Sequence, residues 1–264
     1  MAIKIISDVH GEYEALAGQL EPDDTAVLLG DYVNLIDFRT LDGILADVFS
    51  REEVARALEL FARGDPQEAR RKVSEIVGGS PEKAIMMRDM VIDSYRRFFE
   101  SIPCRCYMLY GNTDNPYLMR DMCPDGMEMV EIGVVEIGGQ RFGMVSGSPR
   151  GPWTVGLPGE IEPGEYDRRV AGLGPVDVLC THYPPAVGEL TWDEEASRDE
   201  QGSKALLEYV DRYAPSVQYF GHVHHPRVTC VTHGRTRLLN AGFFKEHRTA
   251  LVHRADHGAE PCNR

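Results

Sequence analysis

In this chain of 264 residues, metal-capable side chains recur immediately after apolar runs, and no other feature constrains the fold as much. Asp8 and His10 follow Ile3-Lys4-Ile5-Ile6, and Asp31 follows Ala26-Val27-Leu28-Leu29. Asn112 follows Cys106-Tyr107-Met108-Leu109-Tyr110, His182 follows Val176-Asp177-Val178-Leu179-Cys180, and His222 and His224 follow the run ending at Phe220. Short runs of this composition read as buried strands. Chemistry-bearing residues at five strand ends predict an α/β fold with one site at a sheet edge, where loops converge over a rigid base.

A 42% hydrophobic content suits a globular core, and the whole of 1–264 reads as one domain. No run approaches the roughly 20 apolar residues of a membrane span. Met1-Ala2-Ile3-Lys4 enters a strand directly, so a cytoplasmic protein without membrane partners is expected. The formal charge of −14 disfavours nonspecific nucleic-acid binding, which rests on clustered Lys and Arg, although a metal-charged pocket can still attract a small anion. The six cysteines form no CxxC pair and read as structural thiols.

The opening residues alternate strand, helix over Tyr13–Leu20, and strand, a β-α-β unit. From about 40 to 102 the apolar spacing becomes helical and predicts an insertion of two to four helices, with Ser80 as an N-cap and Pro81 at the first helical position. The insertion reads as packing on the main body, with a lid or a homo-oligomer surface as alternatives. Strand patterns dominate after Arg105, including one run over Glu128–Ile137 and a hairpin turn at Gly138-Gly139. Gly147–Gly164 reads as a long loop beside the site, and 255–264 as a loose tail. Many strands with few helices predict two packed sheets with helices outside.

Asp8 with His10, and His222 with His224, stand two residues apart and can bite one cluster. Two carboxylates, four imidazoles and an amide oxygen favour two divalent first-row cations, Mn²⁺, Fe²⁺, Zn²⁺ or Ni²⁺, over Ca²⁺. Only Asp8 and Asp31 are anionic, so two such cations leave net positive charge for a phosphate. They also acidify a bridging water, which makes phosphoester hydrolysis the natural chemistry. Arg39, Arg150 and Arg168 are candidate substrate contacts from loops.

At these residues the chain resembles the calcineurin-like metallophosphoesterase superfamily, whose signature runs DxH, GDxxD, GNH[D/E], a lone H and GHxH. Here it reads Asp8-Val9-His10, Gly30-Asp31-Tyr32-Val33-Asn34, Gly111-Asn112-Thr113-Asp114, His182 and Gly221-His222-Val223-His224. Asn240-Ala241-Gly242 is similar to the late NxG turn. The resemblance implies a four-layer α/β/β/α sandwich. It implies Asp8, His10, Asp31 and His224 at one metal and Asp31, Asn112, His182 and His222 at the other, with Asp31 bridging. Asn112, Asp31 and Asp114 become the candidate catalytic residues.

Two positions depart from the pattern: Thr113 replaces the usual His, and Asn34 replaces an Asp with no Arg after it. The expected function is a phosphodiesterase on a small or nucleotide-like substrate. A phosphomonoesterase or protein phosphatase, and a metal-binding scaffold without catalysis, are the alternatives.

Overall fold

A computed structural model describes residues 2–37, 40–62 and 65–254. Arg39 and the expected tail lie outside them. The apolar runs become strands because both faces of each are covered, with successive side chains entering opposite cores. Ile5, Val27 and Tyr107 enter one core, and Ile6, Leu28 and Met108 enter another.

The first sheet runs in the order Leu251–His253, Ile3–Ile6, Thr25–Leu28, Arg105–Met108 and Met127–Met129, antiparallel only at Leu251–His253. The second runs Cys230–His233, Thr236–Asn240, Val217–Phe220, Val178–Thr181, Gln140–Val145 and Ile132–Ile137, with antiparallel pairs at both edges and parallel pairs between. Ile5, Val27 and Leu109 meet Phe142, Val178 and Tyr219 between the sheets.

Tyr95 and Phe98 of the helix Pro81–Glu100 cover the outer face of the first sheet. Tyr166 and Val170 of Pro163–Gly172, with Leu206 and Tyr209 of Lys204–Tyr213, cover that of the second. The result is the expected α/β/β/α sandwich of two mixed sheets flanked by helices. No helix among the described residues is long and apolar enough to cross a membrane.

Between Thr25–Leu28 and Arg105–Met108 stand the helices Ile44–Phe49, Arg51–Ala62, Pro66–Gly78 and Pro81–Glu100. Asp65 and Ser80 accept the N–H groups of Glu68 and Lys83 at 3.1 and 3.4 Å, and a proline follows each cap. The Gly138-Gly139 turn forms as expected: Ile137 pairs with Gln140, and both glycines adopt positive φ, +60° and +78°.

Three expectations are corrected. The single run Glu128–Ile137 breaks at Val130 and Glu131, and its halves join different sheets. Val130 N–H donates to Met108 O of the first sheet, whereas Glu131 O accepts from Ser146 N–H beside the second. A continuous apolar pattern cannot reveal that crossing, because both halves are half-buried strands. Gly147–Gly164 is not all loop: Ser148–Pro149 pairs with Glu160–Ile161, and the helix Pro163–Gly172 begins inside it. Finally, Cys104, Cys106, Cys123 and Cys180 are free thiols, but Cys230 is disulfide-bonded.

Candidate metal centre

The parallel strands of both sheets end at one edge, and the seven expected ligands meet there. Asp8, His10, Asp31 and Asn112 come from the first sheet; His182, His222 and His224 come from the second. His224 Nε2 and His10 Nε2 lie 3.3 and 3.8 Å from Asp8 Oδ1. His10 Nε2 and His182 Nε2 stand 3.8 and 3.6 Å from Asp31 Oδ2, which therefore sits between them. Asn112 Oδ1 is 3.0 Å from His182 Nε2 and 2.8 Å from His222 Nδ1.

The turns holding these groups are strained. Asp8, His10, Asp31 and His222 adopt φ of +58°, +42°, +59° and +70°, a region sparsely populated by residues with a Cβ. Surrounding bonds hold them there: Asp8 and His10 N–H donate to Gly30 and Asp31 carbonyls at 3.0 Å. His222 N–H donates to Asp8 Oδ2 at 3.1 Å, and Thr113 N–H to Asp31 Oδ1 at 2.9 Å. Asn240 Nδ2 donates to Val223 O at 2.9 Å, and Phe243, just beyond the NxG turn, stacks on His224 with 3.9 Å between ring centres.

Asp8, His10 and His224 form one group with ligand geometry, and Asp8, Asp31 and His182 form another. Asp8 Oδ1 and His10 Nε2 are buried without a hydrogen bond. Leaving such atoms unsatisfied costs roughly 1–3 kcal/mol each, which cation binding offsets. The donor set and the bare atoms both fit divalent cations. Burial alone would raise the Asp8 pKa, but His10 and His224 hold it well below the carboxylate range. Burial depresses His182, favouring the neutral imidazole that can ligate, whereas the carboxylates beside His10 outweigh its burial and raise it.

Asp114, expected among the catalytic residues, lies beneath the turns of the site. It is fully buried, and accepts the backbone N–H groups of Asp31, Tyr32 and Gly111 at 2.7, 3.1 and 2.9 Å and the Tyr95 hydroxyl at 3.3 Å. Burial and the charge of Asp31 push its carboxyl up to about 7, against the pull of those N–H groups. Its hydrogen bonds tie the Asp31 turn to the Asn112 turn. Thr113 lines the cleft over the histidines, but its Oγ1 makes no hydrogen bond.

Glu200 was not singled out from the sequence, where it lies in a polar stretch without motif spacing. Its Oε2 stands 3.6 Å from His222 Nε2, and its Oε1 accepts from Arg198 Nε at 2.6 Å. Burial opposes ionisation, but His222 and Arg198 pull its pKa down to about 2. An ionised partner on the far ring nitrogen fixes the imidazole for ligation through Nδ1. Glu200→Gln is therefore expected to weaken Mn²⁺ binding about 10–100-fold by calorimetry. Lys245, also missed, lines the same cleft and pairs with Asp37 at 2.7 Å. Arg150 and Arg168 instead form exposed pairs with Glu162 and Glu165.

A sandwich of two mixed sheets with a mixed carboxylate, imidazole and amide centre defines the class, that of metal-dependent phosphoester hydrolases. Calcineurin-like phosphoesterase is the family whose profile matches residues 1–226, and the chain belongs to it. The family uses two divalent metal ions. Comparison with curated proteins gives no match. One solved crystal structure is 17% identical, covers 92% of this chain and 91% of its own, and has a TM-score of 0.57, a likeness of fold. TT1561 of Thermus thermophilus (13% identical, 96% and 98% covered, TM-score 0.44) and an archaeal phosphodiesterase (13%, 94% and 87%, 0.38) are too distant to bear on function.

Proposed function

We propose that the protein is a phosphodiesterase acting on a small substrate. Asp8, His10, Asp31 and His224 would hold one cation, and Asp31, Asn112, His182 and His222 would hold the other, with Mn²⁺ the first choice. When bound, two such cations supply a water of lowered pKa and neutralise charge that develops on the phosphate. The chain's own residues orient the ester. Asn112 offers a neutral amide to the cleft, and Asp114 fixes the two turns that carry Asp31 and Asn112.

The observation carrying the choice of a diester is the state of the cations at the cleft. Its lysine and arginine, Lys245 and Arg198, are paired with Asp37 and Glu200. Asn34 donates no positive charge, and Thr113 stands where a cationic histidine would assist the leaving group. A diester presents one negative charge fewer than a monoester, so it demands less clamping.

The test is hydrolysis of bis(p-nitrophenyl) phosphate and p-nitrophenyl phosphate with Mn²⁺, Ni²⁺, Fe²⁺ or Zn²⁺. Faster diester turnover is expected, with a loss of about 10²–10³ in Asn112→Ala. Faster monoester turnover would replace this reading by that of a phosphomonoesterase.

A further inference from the structure

A second cavity, of about 330 Å³, opens off the metal centre. Val73 and Val77 of the helix Pro66–Gly78 form one wall, with Leu45 and Met87 from neighbouring helices; Val155 and Leu157 face them from the glycine-rich stretch. Asn112, Thr113, Glu200 and His222 also line it, and they line the cleft over the histidines as well. A phosphate at the metal centre and a substituent in this cavity can therefore belong to one molecule.

The charged groups of the cavity are already engaged. Arg70 donates to the carbonyls of Thr154 and Gly151, bolting the helix to the opposite wall. Glu160 accepts the N–H groups of Val155, Gly156 and Leu157 at 2.9, 2.6 and 3.0 Å. Arg198 donates to Glu200 and faces the Trp153 ring at 4.9 Å. The charged side chains thus have little further hydrogen bonding to offer a ligand, and the polar contacts left come from small groups such as the Thr113 hydroxyl, which has no partner. A nucleobase entering here would give up water at its polar edge for few partners, whereas an alkyl group gives up nothing.

We propose that this cavity binds an aliphatic substituent, so that the substrate is an alkyl phosphoester rather than a nucleotide. Its being a diester rests on the phosphodiesterase reading above. The Pro66–Gly78 helix then acts as a selectivity element as well as packing on the sandwich.

Calorimetry with methyl, butyl and octyl phosphate tests the cavity without turnover, and kcat/KM for p-nitrophenyl methyl, butyl and octyl phosphates tests it with turnover. Affinity should rise about two- to fourfold per methylene until the cavity is full. Val73→Asp and Val155→Asp, on opposite walls, should each flatten that rise; either suffices if the other fails to fold. Equal affinities along the series, or a rise that both folded variants retain, would overturn the proposal. Chain-length-dependent binding that the variants abolish, without hydrolysis of any diester, would reject the diesterase reading and keep the cavity assignment.

Discussion

Asp31→Asn is expected to lower metal-dependent turnover by about 10³-fold while leaving the metal-free fold no less stable. The two effects have separate causes. Asp31 Oδ2 lies between His10 Nε2 and His182 Nε2 at 3.8 and 3.6 Å, the position from which one carboxylate serves both proposed cation sites. Removing its charge leaves Asp8 as the only anionic ligand of the set.

Without metal the balance reverses, because Asp31 and Asp114 are both buried and the charge of Asp31 disfavours that of Asp114. An amide at 31 removes that repulsion and can still accept the Thr113 N–H through its oxygen. Thermal unfolding with and without Mn²⁺ separates the cases. The wild type should gain about 2.7 kcal/mol at a hundredfold excess of metal over Kd, and the variant should gain little. A variant with wild-type turnover, or with an undiminished Mn²⁺ gain, would remove Asp31 from the ligand set.

Gly111→Ala should be as damaging to the site, for a steric reason. A Cβ at Gly111 would fall on Asp31 Oδ1 and lie 2.7 Å from His182 Cε1, far inside van der Waals contact. Neither neighbour can yield, since Asp31 Oδ1 accepts the Thr113 N–H and the His182 ring is buried and held by Leu29 O. Overpacking of this kind costs about 1–3 kcal/mol of stability. Because it displaces two proposed ligands together, Mn²⁺ affinity should fall at least about 100-fold. Calorimetry on the folded variant checks this; unchanged affinity would show that Gly111 only permits the turn.

The surroundings of Asp114 limit the effect of having no histidine at 113. Its carboxylate is fully occupied by three backbone N–H groups and a tyrosine hydroxyl, so it needs no histidine partner in order to act. With threonine at 113 the Asp31 and Asn112 turns are joined through Asp114 and the Thr113 N–H. What Thr113 removes is a cationic donor, a loss that weighs most on poor leaving groups.

The amino-acid sequence by itself determined which residues end strands, that these ends carry seven potential ligands, and that two sheets and a helical stretch surround them. Such features are local: burial of both strand faces imposes continuous apolar runs, and the positive φ of the turns after the first two runs favours Asp8, Gly30 and Asp31. Even the Gly138-Gly139 hairpin follows from φ preferences within two residues.

Only the tertiary structure decided the approach of Glu200 to His222, the turning of Asp114 toward the Asp31 loop, and the crossing of the 128–137 run from one sheet to the other. It also decided the cavity closed by Arg70 across 81 to 84 residues of chain. These depend on contacts between distant segments, whose partners a local pattern of polarity does not name. Long-range packing brings a solitary glutamate to an imidazole and lays one amphipathic helix over a glycine-rich stretch, and there the reading of function passes from motif to geometry.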